Sequence, residues 1–350
     1  MSSVKKIFLL LVVFVLLLCG CSTVADTEPQ KNNEEEKIQI GMSFDSFVIE
    51  RWQRERDVFV SVAKEMGAEV NVQNAYGNIE EQKKQIDYFI KKGVDAIVII
   101  CIDSAELSDS VRKAKEAGIK IIAYDRLIEK ADVDLYISFD NARVGTMMGE
   151  ALIDAGIEGG SVLMLGGSTT DHNVTLVENA FKKVMREHQV EILDSFHAEG
   201  WRAELAGEYI YKNTQLVAKA DAIMCGNDNL ASQVVPALSE TRLMDRKPVV
   251  GQDADLEACQ RIVEGTQLMT VYKPVERLAR RAAECTMDLV RGNKLEGVDV
   301  TTMNDGAYVI PYVALLPVEV TEENMMDVIV ASGFHMKEDV YLNVPDKLKE

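Results

Sequence analysis

From Ile38 onward, short apolar runs alternate with amphipathic stretches of helical length, and this alternation constrains the fold of the 350-residue chain more than any other feature. Residues 38–44, 68–73, 96–102 and 120–124 read as strands, with 50–66, 79–92 and 108–117 between them as helices. Residues 96–102 are apolar throughout, as expected of a parallel strand covered on both faces. Gly67, Gly93 and Gly118 each follow a helix, where glycine most easily makes the left-handed closing turn. Repetition of strand and helix in this way builds a doubly wound parallel sheet.

A second set starts near Asn141. Helix 142–155 leads to strand 161–165, helix 174–188, and strands 191–196, 222–225, 249–251 and 268–272. In helix 174–188, Val177, Ala180, Phe181, Val184 and Met185 make one apolar stripe. Helix 274–291 opens on Pro274 and stops before Gly292. One core of this length would be too large, so the α/β chain is expected to form two doubly wound parallel-sheet lobes.

The N-terminus points to export. Lys5 and Lys6 precede the apolar run 7–18, which is short for a membrane span, and no stop-transfer pattern follows. Residues 1–20 therefore read as a signal peptide. Leu18-Cys19-Gly20-Cys21 resembles the bacterial lipobox, which makes Cys21 the expected lipidation site and membrane anchor. Residues 21–37, rich in Pro, Asn, Gln and Glu, read as a polar linker unable to bury a core. Cys101, Cys225, Cys259 and Cys285 show no C-x-x-C pairing and read as buried apolar residues. Net charge is −19, which argues against nucleic acid as a partner.

Ligands of open α/β sheets sit beyond the carboxyl ends of the strands. Those positions hold Glu50-Arg51-Trp52, Asp125-Arg126, Asp140-Asn141, Asp171-His172-Asn173, Glu199-Gly200-Trp201, Asn227-Asp228, Asp253 and Lys273. Carboxylates and amides accept from neighbouring hydroxyls, Arg and Lys donate to ring and hydroxyl oxygens, and an indole covers the C–H face of a sugar. The mixed signs suit a neutral polyol. Asp and Asn at such ends also form turns and helix caps, which accounts equally well for any one of them. Eight ends and both tryptophans together favour a binding cleft. Asp255 is expected to cap a helix beginning at Leu256.

Enzyme readings find little support. G-x-S-x-G, H-E-x-x-H and the phosphate-loop pattern do not occur, and Gly166-Gly167-Ser168 lacks the loop's lysine. His172, His188, His197 and His335 have unrelated spacings, so neither a metal nor a catalytic site is expected, and no cofactor.

Several long runs resemble the type I periplasmic sugar-binding proteins of ABC transporters, among them the D-xylose-binding proteins. They are Glu50-Arg51-Trp52-Gln53, Ala123-Tyr124-Asp125-Arg126, residues 136–141, Gly251-Gln252-Asp253-Ala254-Asp255-Leu256, Gly265-Thr266-Gln267 and residues 269–274. The resemblance spans about residues 40–335. It implies sugar contacts from Arg51, Asp125 and Arg126 on one lobe and Asp171, Asn173, Trp201, Asn227 and Asp253 on the other. Lys273 would lie near a hinge, and Trp52 would be a second stacking ring.

The resemblance also implies a three-segment hinge, with crossings near 138–140, 270–273 and 301–304. The lobes would be 38–138 plus 272–302 and 139–271 plus 303–345. The expected function is capture of a monosaccharide, D-xylose first, by clamshell closure of a monomer and delivery to an ABC permease. The alternative is a sugar sensor that docks on a membrane histidine kinase.

Overall fold

The structure, a computed structural model, describes residues 37–349 apart from 245, 246 and 298. The expected signal peptide, Cys21 and the expected linker up to residue 36 lie outside the described residues. The described chain opens with β1 (Ile38–Phe44), α1 (Arg51–Glu65), β2 (Ala68–Asn74), α2 (Ile79–Lys92), β3 (Ala96–Ile99), α3 (Ser108–Glu116), β4 (Lys120–Tyr124) and β5 (Leu135–Phe139). Next come α4 (Asn141–Leu152), β6 (Ser161–Gly166), α5 (His172–Glu187), β7 (Glu191–His197), α6 (Ala203–Lys212), α7 (Thr214–Lys219), β8 (Ala222–Cys225), α8 (Asp228–Glu240), β9 (Val249–Gln252), α9 (Leu256–Glu264) and β10 (Met269–Tyr272). The chain ends through α10 (Val275–Val290), β11 (Val300–Asn304), β12 (Val309–Leu315), β13 (Val318–Val320) and α11 (Lys337–Val340).

Local chemistry accounts for these elements. Asn78 caps α2 by accepting from the amides of Glu80 and Glu81, and Gly93 closes it in the left-handed conformation at φ 68°. The helix buries Ile86 and Phe89 against the sheet, each contributing about 1.5–3 kcal/mol. All four residues of β3 are fully buried, which explains why that segment shows no alternation.

The strands form two sheets. The first runs β11-β12-β5-β4-β3-β1-β2 and the second β13-β10-β9-β8-β6-β7. Neighbours from β2 to β12 and from β7 to β10 are parallel, and the outermost strands, β11 and β13, pair antiparallel. Within each sheet five successive strands take the order 2-1-3-4-5, so each lobe has a switch point beside its first strand.

The hinge departs from the expectation at its third crossing. β12 pairs in parallel with β5, Tyr312 opposite Tyr136, so β11 and β12 belong to the first lobe. β13 then joins the second sheet beside β10. The chain therefore crosses at 316–317, and residues 303–315 belong with the first lobe. The other crossings fall between β5 and α4 and between β10 and α10.

Candidate functional site

All ten residues expected to touch ligand line one cavity between the lobes. Arg51, Trp52, Asp125 and Arg126 come from the first lobe, and Asp171, Asn173, Trp201, Asn227 and Asp253 from the second. Lys273 lines it too, at the end of β10 where the chain crosses back.

The first-lobe half is a buried charge network. Arg51 donates through Nη1 to Glu55 Oε1 at 2.5 Å and through Nη2 to Asp125 Oδ2 at 2.7 Å. Arg126 Nη1 donates to Asp45 Oδ2 at 2.8 Å and to the Cys101 carbonyl at 3.0 Å. Trp52 is fully buried, and the Arg51 guanidinium stands 4.0 Å from its ring centroid, with Arg126 at 5.7 Å. The ring supports both cations. Burial pushes the Asp125 carboxyl up, but Arg51 and Lys273 outweigh it and hold the group below the usual range. Burial also raises Asp45, only partly offset by Arg126.

Asp125 sits at φ 60°, costly for a non-glycine residue. Its carbonyl accepts from Ser138 Oγ at 2.6 Å, Tyr136 Oη at 3.1 Å and Asn173 Nδ2 at 3.0 Å, which together hold that conformation.

In the second lobe, capping and lining are done by the same side chains. Asp171 accepts the Asn173 amide through Oδ1 at 3.0 Å and turns Oδ2 to Arg126. Asn227 accepts the Leu230 amide through Oδ1 at 2.9 Å, leaving Nδ2 unpaired. Asp255 stands at the start of α9 as expected but makes no side-chain cap bond. Trp201, at φ 59°, lays its six-membered ring on Gly167; a Cβ there would stand 2.2 Å from Cη2. Asp253 and Ala254 are also left-handed, and Thr270 Oγ1 accepts the Ala254 amide at 3.2 Å while donating to Asp228 Oδ2 at 2.6 Å.

The two halves meet directly. Arg126 Nε lies 2.8 Å from Asp171 Oδ2, Arg51 Nε 3.5 Å from Asp253 Oδ1, and Asn173 Nδ2 3.2 Å from Asp125 Oδ1. At the rim the Ser104 amide donates to the Thr170 carbonyl at 3.0 Å, and Thr170 Oγ1 to the Ile102 carbonyl at 2.9 Å. His172 Nδ1 stands 3.1 Å from Glu129 Oε1. These contacts describe a closed clamshell.

Nine buried side-chain nitrogen and oxygen atoms among the described residues lack a hydrogen-bond partner. Eight belong to lining residues, and the ninth is Asp45 Oδ1 beside Arg126. Arg51 Nε, Arg126 Nε and Asp253 Oδ1 at least face opposite charge. The rest comprise the donors Trp52 Nε1, Trp201 Nε1, Asn227 Nδ2 and Arg126 Nη2 and the acceptors Gln252 Oε1 and Asp45 Oδ1. Unpaired buried polar groups are costly, so their convergence on one cavity marks a place built for a polar guest.

Sequence reasoning passed over Asp45, Glu55, Glu178 and Gln252. Asp45 directly follows β1 and Gln252 ends β9, so the strand-end rule points to both. Glu55 is one helical turn beyond Arg51, on the same helix face. Glu178 lies in the second turn of α5, where its carboxylate lines the cavity and receives His197 at 2.7 Å and Lys182 at 2.8 Å.

Comparison with known proteins agrees with this fold. A family model described as a periplasmic binding protein domain matches residues 40–294. The D-xylose-binding periplasmic protein of Escherichia coli is 39% identical over 331 residues, which cover 93% of this chain and 98% of that protein. Its counterpart in Haemophilus influenzae is 38% identical with the same coverage. Among solved structures, an ABC transporter solute-binding protein from Clostridium phytofermentans with bound β-D-glucose superposes with a TM-score of 0.79. It is 24% identical, with 86% of this chain and 99% of that one covered.

Proposed function

The chain belongs to the periplasmic binding protein family, and from that we propose that it captures a monosaccharide, D-xylose foremost, between its lobes and delivers it to an ABC permease. The observation that carries this reading is the ring of unpaired donors and acceptors around the cavity, joined by two indoles. A pyranose carries hydroxyls that both donate and accept, and a C–H face to lie against Trp201. Four lining carboxylates, Asp125, Asp171, Glu178 and Asp253, stand against the three cations Arg51, Arg126 and Lys273, a balance that suits a neutral guest. The D-xylose assignment leans on the two D-xylose-binding relatives.

The ten lining residues named from the sequence are the proposed contacts, with Gln252 and Glu178 added. Outside the described residues, Cys21 is proposed to carry a lipid that holds the protein on the outer face of the membrane. Cys21→Ser should release the protein from the membrane fraction or stall its processing.

The direct test is a thermal-shift screen of D-xylose, D-ribose, L-arabinose, D-glucose and D-galactose, followed by calorimetry. A ligand that binds only the native state raises stability by RT ln(1 + [L]/Kd), so D-xylose should raise the melting temperature most. A melting curve that no sugar moves, even at millimolar concentration, would end the sugar reading.

A further inference from the structure

Behind Arg51, outside the cavity lining, lies a carboxylate that the binding role does not explain. Glu55 is fully buried. Its Oε1 accepts from Arg51 Nη1, and its Oε2 makes a short contact with the Tyr124 hydroxyl. The first-lobe cluster sets two arginines, Arg51 and Arg126, against three carboxylates, Asp45, Glu55 and Asp125, all buried. Closure adds Asp171 to Arg126 and Asp253 to Arg51, two more carboxylates against the single lysine Lys273. The sealed cluster thus holds five carboxylates and three cations, and a neutral sugar cannot redress the excess.

We propose that closure over a ligand takes up a proton onto Glu55, making Glu55 the residue that both positions Arg51 and sets the pH dependence of binding. This rests on the reading that the cavity takes a neutral sugar. Both states keep the heavy atoms in place, and in the protonated one the Tyr124 hydroxyl hydrogen gives up its acceptor. Oε1 accepts from Arg51 in both. Oε2 accepts from Tyr124 when bare and donates to it when protonated, the proton coming from solvent. Burial already pushes this carboxyl up to about 7, against the opposing pull of Arg51. That value belongs to the closed form; opening admits water and frees Arg51 from Asp253, and both effects lower it.

The groups bearing on Glu55 are Arg51 from its own helix and Tyr124 and Asp125 from the end of β4. Beyond Arg51 stand Asp253 and Lys273. Of the other elements packed on α1, β2 offers one charged residue, exposed Glu69, which is bonded to Gln39. From α10, Glu276 turns to Arg54 and Arg281 to Asp299.

The test is titration calorimetry with D-xylose from pH 6 to 8.5, in two buffers of different ionisation enthalpy at pH 7. Wild type should take up a fraction of a proton and bind on the order of tenfold more tightly at pH 6 than at pH 8. Glu55→Gln, an isostere of the protonated carboxyl, should lose most of that dependence and bind at pH 8 about as tightly as wild type binds at pH 6. Tyr124→Phe removes a bond that favours the charged form and should move the midpoint to higher pH, a second handle if Glu55→Gln folds poorly. His172→Asn, at the rim beside Glu129, should leave the Glu55 dependence in place. Xylose affinity independent of pH, or an unaltered pH dependence in Glu55→Gln, would overturn this inference while leaving the sugar reading intact. No heat with any sugar would overturn both.

Discussion

Arg126 Nε lies 2.8 Å from Asp171 Oδ2, an ion pair whose partners come from opposite lobes and are both almost completely buried. Arg126 is already neutralised within its own lobe by Asp45, so the second carboxylate matters only when the lobes close. Asp171→Asn keeps the oxygen that caps α5 but removes the charge and sets an NH2 group against the Arg126 guanidinium. Breaking a buried ion pair costs up to about 3–5 kcal/mol, less here because Asp45 stays with Arg126, so xylose affinity should fall by at least about tenfold with little change in unliganded stability. Calorimetry and melting curves measure the two effects separately. Unchanged affinity would mean that this pair does not drive closure.

A second cross-lobe contact sits at the mouth of the cleft. Thr170 donates its hydroxyl to the Ile102 carbonyl and accepts the Ser104 amide on its own carbonyl. Neither bond can exist in an open form. Thr170→Val keeps the shape and loses one cross-lobe bond of about 0.5–1.5 kcal/mol, together with the Ser168 hydroxyl bond inside its own lobe, which does not depend on closure. Sugar release in stopped flow should quicken by about two- to tenfold with the association rate nearly constant, since such changes act mainly on dissociation. Equal acceleration of both rates would place the contact outside the closed state.

The sheet cores were legible in the sequence because a parallel strand covered on both faces must be apolar throughout, as β3 is. The cavity was legible because every strand end facing it carries a polar residue. What escaped has a physical cause. Val300–Asn304 is half exposed and largely polar, and Val309–Leu315 contains Pro311, so neither reads as a core strand. Without them the sequence places the third crossing about a dozen residues too early. Glu178 and Glu55 sit inside helices, where a carboxylate reads as solvated surface until the fold shows what covers it. The rim pair His172–Glu129 joins residues 43 apart, a relationship that spacing alone cannot carry.

Unliganded stability should fall as pH rises from about 5 to 8. Burial raises the Asp228 carboxyl to about 7, against the pull of its Thr270 bond, and its partners Thr270 and Gln267 belong to its own lobe, so opening leaves them in place. An acid raised on folding binds its proton more tightly in the native state. Its contribution is complete below the unfolded value and is lost as pH climbs through the folded one. Asp125 and Asp305, held low, act oppositely but only below about pH 4. Melting temperatures across this window measure the slope. Asp228→Asn should flatten it while lowering the whole curve, because its amide group sets a donor against the Thr270 hydroxyl or the Gln267 amide. A curve that rises from pH 5 to 8 would contradict the assignment.

The role of Trp201 is open to a test that leaves the ring in place. Its side chain is 8% exposed and joins the second-lobe core, so Trp201→Ala removes packing as well as ligand contact and cannot separate the two. Gly167→Ala can. Gly167 has no left-handed φ, so alanine is tolerated by the backbone, yet its Cβ would stand 2.2–2.4 Å from three atoms of the indole. The indole must move off β6 into the space proposed for the sugar. Overpacking of this kind costs about 1–3 kcal/mol of stability, and xylose affinity should drop by more than a hundredfold because the displaced ring blocks the cavity. In the double variant Gly167→Ala/Trp201→Ala the clash is gone. Its affinity should match that of Trp201→Ala alone, and the difference between the two Gly167→Ala effects is the coupling of the pair. If Gly167→Ala weakens binding equally with and without the indole, the ring does not act through this contact, and the stacking assignment for Trp201 falls.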